Sequence, residues 1–127
     1  QETFRAARRP HSNPVDPPTE DAPLLEVGQV LLERWGAESL LVTLGEQGIM
    51  LFQRDQAPFH IPTRAQEVFD VSGAGDTTIA LFTLALCAGA TQAEAAEIAN
   101  QASGIVVGKL GTATVSHEEL FRSFTDA

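Results

Sequence analysis

The 127-residue chain has a single cysteine, Cys87, so no disulfide can close within it. A lone thiol is compatible with a reducing compartment, and a cytoplasmic location is the expectation. Positive charge is scarce: 8 Lys and Arg stand against 17 Asp and Glu, a formal net charge of −9. That balance disfavours a nucleic-acid partner, because tracking phosphates along a strand needs clustered basic residues. The one basic cluster, Arg5, Arg8 and Arg9, lies in an opening segment expected to be poorly ordered. No run reaches the ~18 apolar residues that cross a bilayer, so no membrane partner is expected. The start has neither an initiator Met nor the apolar core of a signal peptide, which suggests a piece of something longer. His11, His60 and His117 are far apart and have no Cys partners, which argues against zinc. Ser72 and Ser103 lack a nearby His-Asp arrangement, so a hydrolase triad has no support.

What remains is ordinary for a globular protein: 43% hydrophobic and 20% charged residues, enough for one compact core. Residues 1–21 hold four of the seven prolines and no helical or strand period, so they read as a divergent or disordered linker. Residues 22–127 read as the folded part. Asp21 is positioned to cap a first helix, with Pro23 in its first turn and Gly36 just past its end. Leu24, Val27, Leu31 and Trp35 recur at helical spacing. Ser39–Leu44 is too short and too apolar for a surface helix and reads as a buried strand. A turn at Gly45–Gly48 leads to a second strand, Ile49–Phe52. Phe59–Ile61 and Val68–Val71 are shorter strand candidates.

A long helix is expected from about Ala74 to Ala88, apolar around nearly its whole circumference. Such a helix should be buried in a larger body, with Cys87 a packing residue. Its apolar surface predicts a missing partner or homodimer formation. Thr91 with Glu94, and Ser116 with Glu119, are capping boxes that open two further helices. The order of strands then helices argues for an α/β layer fold.

The chemistry concentrates in Asp70-Val71-Ser72-Gly73-Ala74-Gly75-Asp76. Small residues let the backbone approach a ligand closely. A helix N-terminus offers unpaired N–H groups and partial positive charge to a phosphate. In phosphoryl transfer such dipoles stabilise the transferring group, and a base must accept the proton of the attacking hydroxyl. Asp76 in the first turn suits that role. Gly-Ala-Gly could equally make a plain tight turn with Asp76 as a cap. No Lys-Ser or Lys-Thr follows the glycines, so this is not a P-loop. Thr78 stands where a dinucleotide fingerprint needs its third glycine.

From Asp70 onward the chain resembles the second signature of the ribokinase-like (PfkB) carbohydrate kinases. Leu81 departs from the small residue that signature prefers. The likeness extends to Val42-Thr-Leu-Gly-Glu-Gln-Gly48 and to the stretch from Asn100 to Gly111. Pro62–Asp70 and Val107–Ser116 are similar to the kinase domain of the ADP-heptose pathway. That branch phosphorylates D-glycero-β-D-manno-heptose 7-phosphate at the anomeric position. The likeness covers roughly residues 24 to 120.

The resemblance implies the C-terminal portion of a ribokinase-like three-layer α/β/α fold. It implies ATP as phosphate donor and a small sugar phosphate as acceptor. Asp76 would be the catalytic base, and the N–H groups around Gly73, Ala74 and Gly75 the anion hole. Thr43, Gly45 and Gly48 would line the nucleotide, with Asn100 near adenine or ribose. Asp70 and Ser72, with carbonyls near Lys109 and Gly111, would hold a monovalent cation such as K⁺. Mg²⁺ would arrive with the ATP. Two other readings stay open. One is a non-catalytic nucleotide-binding fragment without the sugar-binding half. The other is a structural interaction domain, which leaves two glycines and an aspartate at a helix start unexplained.

Overall fold

The computed structural model describes residues 1–64 and 67–126. Two compact units divide the chain after Pro62.

In the first unit, helix α2 (Ala22–Trp35) begins as its sequence demands. The Asp21 side chain accepts the Leu24 N–H at 3.0 Å, and Gly36 ends the helix at φ 60°. A cap of this kind is worth about 1 kcal/mol. Leu24, Val27, Leu31 and Leu32 are buried, whereas Trp35, expected in the same stripe, is exposed at the helix end. Strands β1 (Ser39–Thr43), β2 (Ile49–Gln53) and β3 (Phe59–Ile61) form an antiparallel sheet in sequence order. Thr43 pairs with Ile49, and Ile49 with Ile61. Helix α2 packs on β1 and β2.

The opening segment differs from its expected disorder. A six-residue helix α1 (Glu2–Ala7) buries Phe4 and Ala7 in the same core as Leu24, Val27, Leu31, Val42, Met50 and Phe52. Arg34 of α2 donates to the carbonyls of Ala6 and Ala7, and Arg9 pairs with Glu26. Each side chain buried this way contributes roughly 1.5–3 kcal/mol for a large apolar residue. Two buried residues are too few to produce a visible period. That is why the segment reads as linker in sequence.

In the second unit, α3 (Ala74–Cys87) packs along α4 (Gln92–Val107), which in turn contacts α5 (His117–Thr125). Ala95, Ala96, Ala99 and Ala102 of α4 are fully buried, and side chains that small allow close helix approach. Both capping boxes form, Thr91 with Glu94 and Ser116 with Glu119. Helix α3 is not the buried element its composition suggested. Thr78 is its buried residue among those described, while Ile79 and Leu84 are about two-thirds exposed and Cys87 is exposed. Apolar surface all round a helix needs cover on every side, and these two packed helices cover one side only.

The strand expected at Val68–Val71 does not form. The N–H groups of Phe69 and Asp70 both donate to the Val107 carbonyl at the end of α4, at 2.8 and 3.2 Å. The helix terminus takes the donors that a neighbouring strand would have needed. Among the described residues no helix is long and apolar enough to cross a membrane.

Candidate active site

Gly73 opens α3 as its N-cap at φ 79°, ψ −1°, with no side chain capping it. That conformation favours glycine, and a Cβ added there would stand 3.1 Å from the Thr112 methyl. The Ala74 N–H turns back to the Val71 carbonyl at 3.2 Å, and the Thr77 N–H reaches the Gly73 carbonyl at 3.0 Å. The N–H groups of Gly75 and Asp76 lie between them and have no intrahelical carbonyl. They, together with the helix dipole, are the donors best placed for an anion. Of the three expected anion-hole positions, Ala74 is thus already engaged in the turn.

A Cβ built on Gly75 meets nothing within 4 Å, so the space over the turn is open. The Asp76 carboxylate is exposed in the same first turn. Thr78, one turn on, returns its hydroxyl to the Ala74 carbonyl at 2.9 Å and fixes the helix start from its buried side.

Asp70 organises the approach to the turn. Its carboxylate accepts the Ser72 N–H at 2.9 Å. The hydrogen bonds from Ser72, with one from the Gly111 N–H, hold its pKa below the usual value. The carboxylate is therefore ionised at neutral pH and holds the Ser72 backbone at the approach to the glycine turn. No group of three His, Cys, Asp or Glu that could hold a metal occurs among the described residues.

Asn100 sits in mid-α4 and is buried, not solvated as an isolated helical Asn would be. Next to it in sequence, Gln101 lines a cavity of about 620 Å³ with Arg64, Phe69, Gly104, Ile105 and Ser123. Sequence reasoning missed these residues. The one visible signal was Gly104 inside a helix, where glycine costs stability and so marks a packing or ligand constraint.

Thr43, Gly45 and Gly48 belong to the first unit. Thr43 is exposed at the end of β1, and the turn beyond it runs as a 3₁₀ segment with Gly45 at φ 60° and Gly48 at φ 89°. The turn is held on two sides. His60 Nε2 donates to the Gln47 carbonyl at 2.6 Å, and Gln47 Nε2 donates to the Val15 carbonyl at 2.8 Å. The acceptor is a carbonyl, so the His60 Nε2 carries a proton.

Backbone donors without intrahelical partners stand beside an exposed carboxylate at the start of a helix in an α/β chain, an arrangement with the donors an anion needs. The comparisons agree on what kind of protein carries it. Residues 17–119 match the model of the pfkB family of carbohydrate kinases. The chain belongs to that family. It is 51% identical over 106 residues to the "Bifunctional protein HldE" of Nitrosococcus oceani, a match covering 84% of this chain and 22% of that protein. It resembles Arabidopsis thaliana ribokinase solved with ribose and ATP, at TM-score 0.70 and 26% identity over 78% of this chain and 33% of the other. Escherichia coli phosphofructokinase-2, solved with potassium, matches 98% of this chain and 38% of its own at TM-score 0.82 and 19% identity, which shows the fold. The chain thus spans under a quarter of the HldE relatives and about a third of the solved kinases. The Pro62–Asp70 stretch that carries part of the ADP-heptose likeness includes Ala65 and Gln66, which lie outside the described residues.

Proposed function

We propose that residues 22–127 are the C-terminal nucleotide-binding and catalytic part of an ATP-dependent kinase that phosphorylates a sugar or sugar-phosphate hydroxyl. The favoured acceptor is D-glycero-β-D-manno-heptose 7-phosphate, which would become the 1,7-bisphosphate. The observation that carries the reading is the open Gly73–Asp76 turn in a chain of the pfkB family. The half-identical HldE relatives favour the heptose branch.

In this reading the N–H groups of Gly75 and Asp76, with those around Gly73, hold the phosphoryl group being transferred. The acceptor hydroxyl oxygen attacks the γ-phosphorus. The bond from that phosphorus to the bridging oxygen of ADP breaks, and Asp76 takes the hydroxyl proton. Thr43, Gly45 and Gly48 contact the nucleotide, and Asn100 with the neighbouring cavity receives its base or ribose.

The described residues offer no three-donor acidic or imidazole cage. Mg²⁺ therefore fits best as an ion carried in on the ATP phosphates, where it neutralises charge. Asp70, an ionised hard-oxygen donor beside Ser72, fits a monovalent cation such as K⁺, with carbonyls near Lys109 and Gly111 as further ligands. The expected setting is the cytoplasm, with ATP and a small sugar phosphate as partners and neither nucleic acid nor membrane.

A second reading rests on the exposed Ile79 and Leu84 of α3. A bare apolar helix face suits a fragment that binds nucleotide but lacks its sugar-binding half, or that pairs as a homodimer. ADP release measured with heptose 7-phosphate, ribose and fructose 6-phosphate in turn tests both readings. A protein extended to the full kinase domain should turn over the heptose phosphate fastest, and the 127-residue chain should show little turnover. A preference for ribose would remove the heptose assignment. Full turnover by the short chain would remove the fragment reading.

A further inference from the structure

The loop between α4 and α5 is fastened at both ends by one side chain. Lys109 Nζ donates to the Thr114 carbonyl at 2.7 Å and to Glu119 Oε1 at 2.7 Å. Glu119 is itself fixed, because its Oε2 accepts the Ser116 N–H at 2.8 Å in the capping box of α5. Between these points the loop meets the glycine turn twice. The Gly111 N–H lies on the side of the Asp70 carboxylate, where it helps to lower that group's pKa, and the Thr112 methyl stands 3.1 Å from where a Cβ on Gly73 would be.

The pair is partly exposed, with the Lys109 side chain 33% and the Glu119 side chain 42% accessible. Exposed pairs of this kind add little to global stability. A contribution to local order is a different matter, because one ammonium has three donors and here joins the Thr114 carbonyl to the Glu119 carboxylate.

We propose that Lys109 and Glu119 are positioning residues for the Gly73–Asp76 turn, acting through the 108–116 loop and its contacts with Asp70 and Gly73. The proposal rests on reading that turn as the phosphate site. Neither residue touches the turn itself. Their part is to keep Gly111 and Thr112 where they hold the turn open and its N–H groups aimed outward.

The test is backbone ¹⁵N relaxation on the labelled 127-residue chain, beside calorimetric titration with Mg·ATP, for wild type, Lys109→Met, Lys109→Arg and Glu119→Gln. Glutamine keeps the capping box and removes only the charge, so α5 should survive that change. Order parameters at Ser72, Gly73, Gly75 and Gly111 should fall from about 0.85 towards 0.6 in the Met and Gln variants. The α4 amides should stay unchanged, and arginine should restore the loop. Mg·ATP affinity should weaken roughly tenfold in the same two variants, a change of about 1.4 kcal/mol. Unchanged order parameters at the turn would overturn the proposal, and so would a loss spread equally over α4. Loosening of the turn in a protein whose wild type binds no Mg·ATP would uphold the coupling and remove the phosphate reading instead.

Discussion

Asp76→Asn, made in a protein containing the whole kinase domain, should lower turnover by about 10²–10⁴-fold, the usual worth of a positioned base. Mg·ATP affinity should be largely spared. Asparagine matches aspartate in size and can stand in the first turn of α3, so the helix start should persist. What it cannot do is take a proton from the acceptor hydroxyl. The residue is exposed in the present chain, and its carboxylate is free to face an incoming substrate. The expected pattern is a fall in kcat with little change in the apparent affinity for ATP. Near-normal turnover would sink the assignment of Asp76 as base, whatever the anion site does.

The second large effect concerns the first unit and has nothing to do with chemistry. Gly28 lies in mid-α2, where a Cβ would come within 2.2–2.6 Å of three ring carbons of Phe52. Phe52 is 2% exposed on β2 with Met50 and Leu51 fully buried beside it, so its ring has little room to move. Overpacking of a tight core costs about 1–3 kcal/mol, and these distances are severe enough to reach the upper end. Alanine regains about 1 kcal/mol of helix propensity over glycine. Gly28→Ala should therefore lose about 2 kcal/mol net in urea unfolding. Phe52→Leu in the same background should recover part of that loss, since the two sites are coupled by contact. A raised midpoint for Gly28→Ala would show that α2 does not sit against β2 as described.

These two predictions mark the division between what the sequence disclosed and what it did not. Features carried by a few neighbouring residues were legible. Asp21 and Gly36 bound α2, Thr91 with Glu94 opens α4, and Ser116 with Glu119 opens α5. The hairpin around Gly45 and Gly48 also follows from local turn chemistry. Features set by distant partners were not legible. Nothing near Gly28 in sequence announces the Phe52 ring. Phe4 and Ala7 join the core from a proline-rich stretch that lacks a period. Val68–Val71 has strand composition, yet its donors go to the Val107 carbonyl. Cys87 and Ile79 look like core and are exposed, because burial depends on what covers a helix and not on the helix alone.

The candidate site divides in the same way. The glycine turn and Asp76 could be located from sequence because a helix start is a local event. The capture of the Ala74 N–H by Val71, the approach of the Thr112 methyl to Gly73 and the cavity beside Gln101 all depend on the folded loop. Roles for Thr43, Gly45, Gly48 and Asn100 rest on family resemblance, and the structure adds their positions: an exposed strand end, a clamped turn and a buried helix face.

The central claim is that phosphate lies over Gly75. Calorimetric titration of the chain with Mg·ATP in potassium buffer, beside Gly75→Val, tests it most directly. A Cβ at Gly75 would meet nothing within 4 Å beyond its own turn of helix, so the variant should fold as the parent does. The valine would fill the space a phosphate needs and block approach to the N–H groups. The account predicts saturable binding by the parent and binding at least about tenfold weaker, or lost, in the variant. Equal affinity in the two proteins would contradict it, as would no binding by a parent chain shown to be folded.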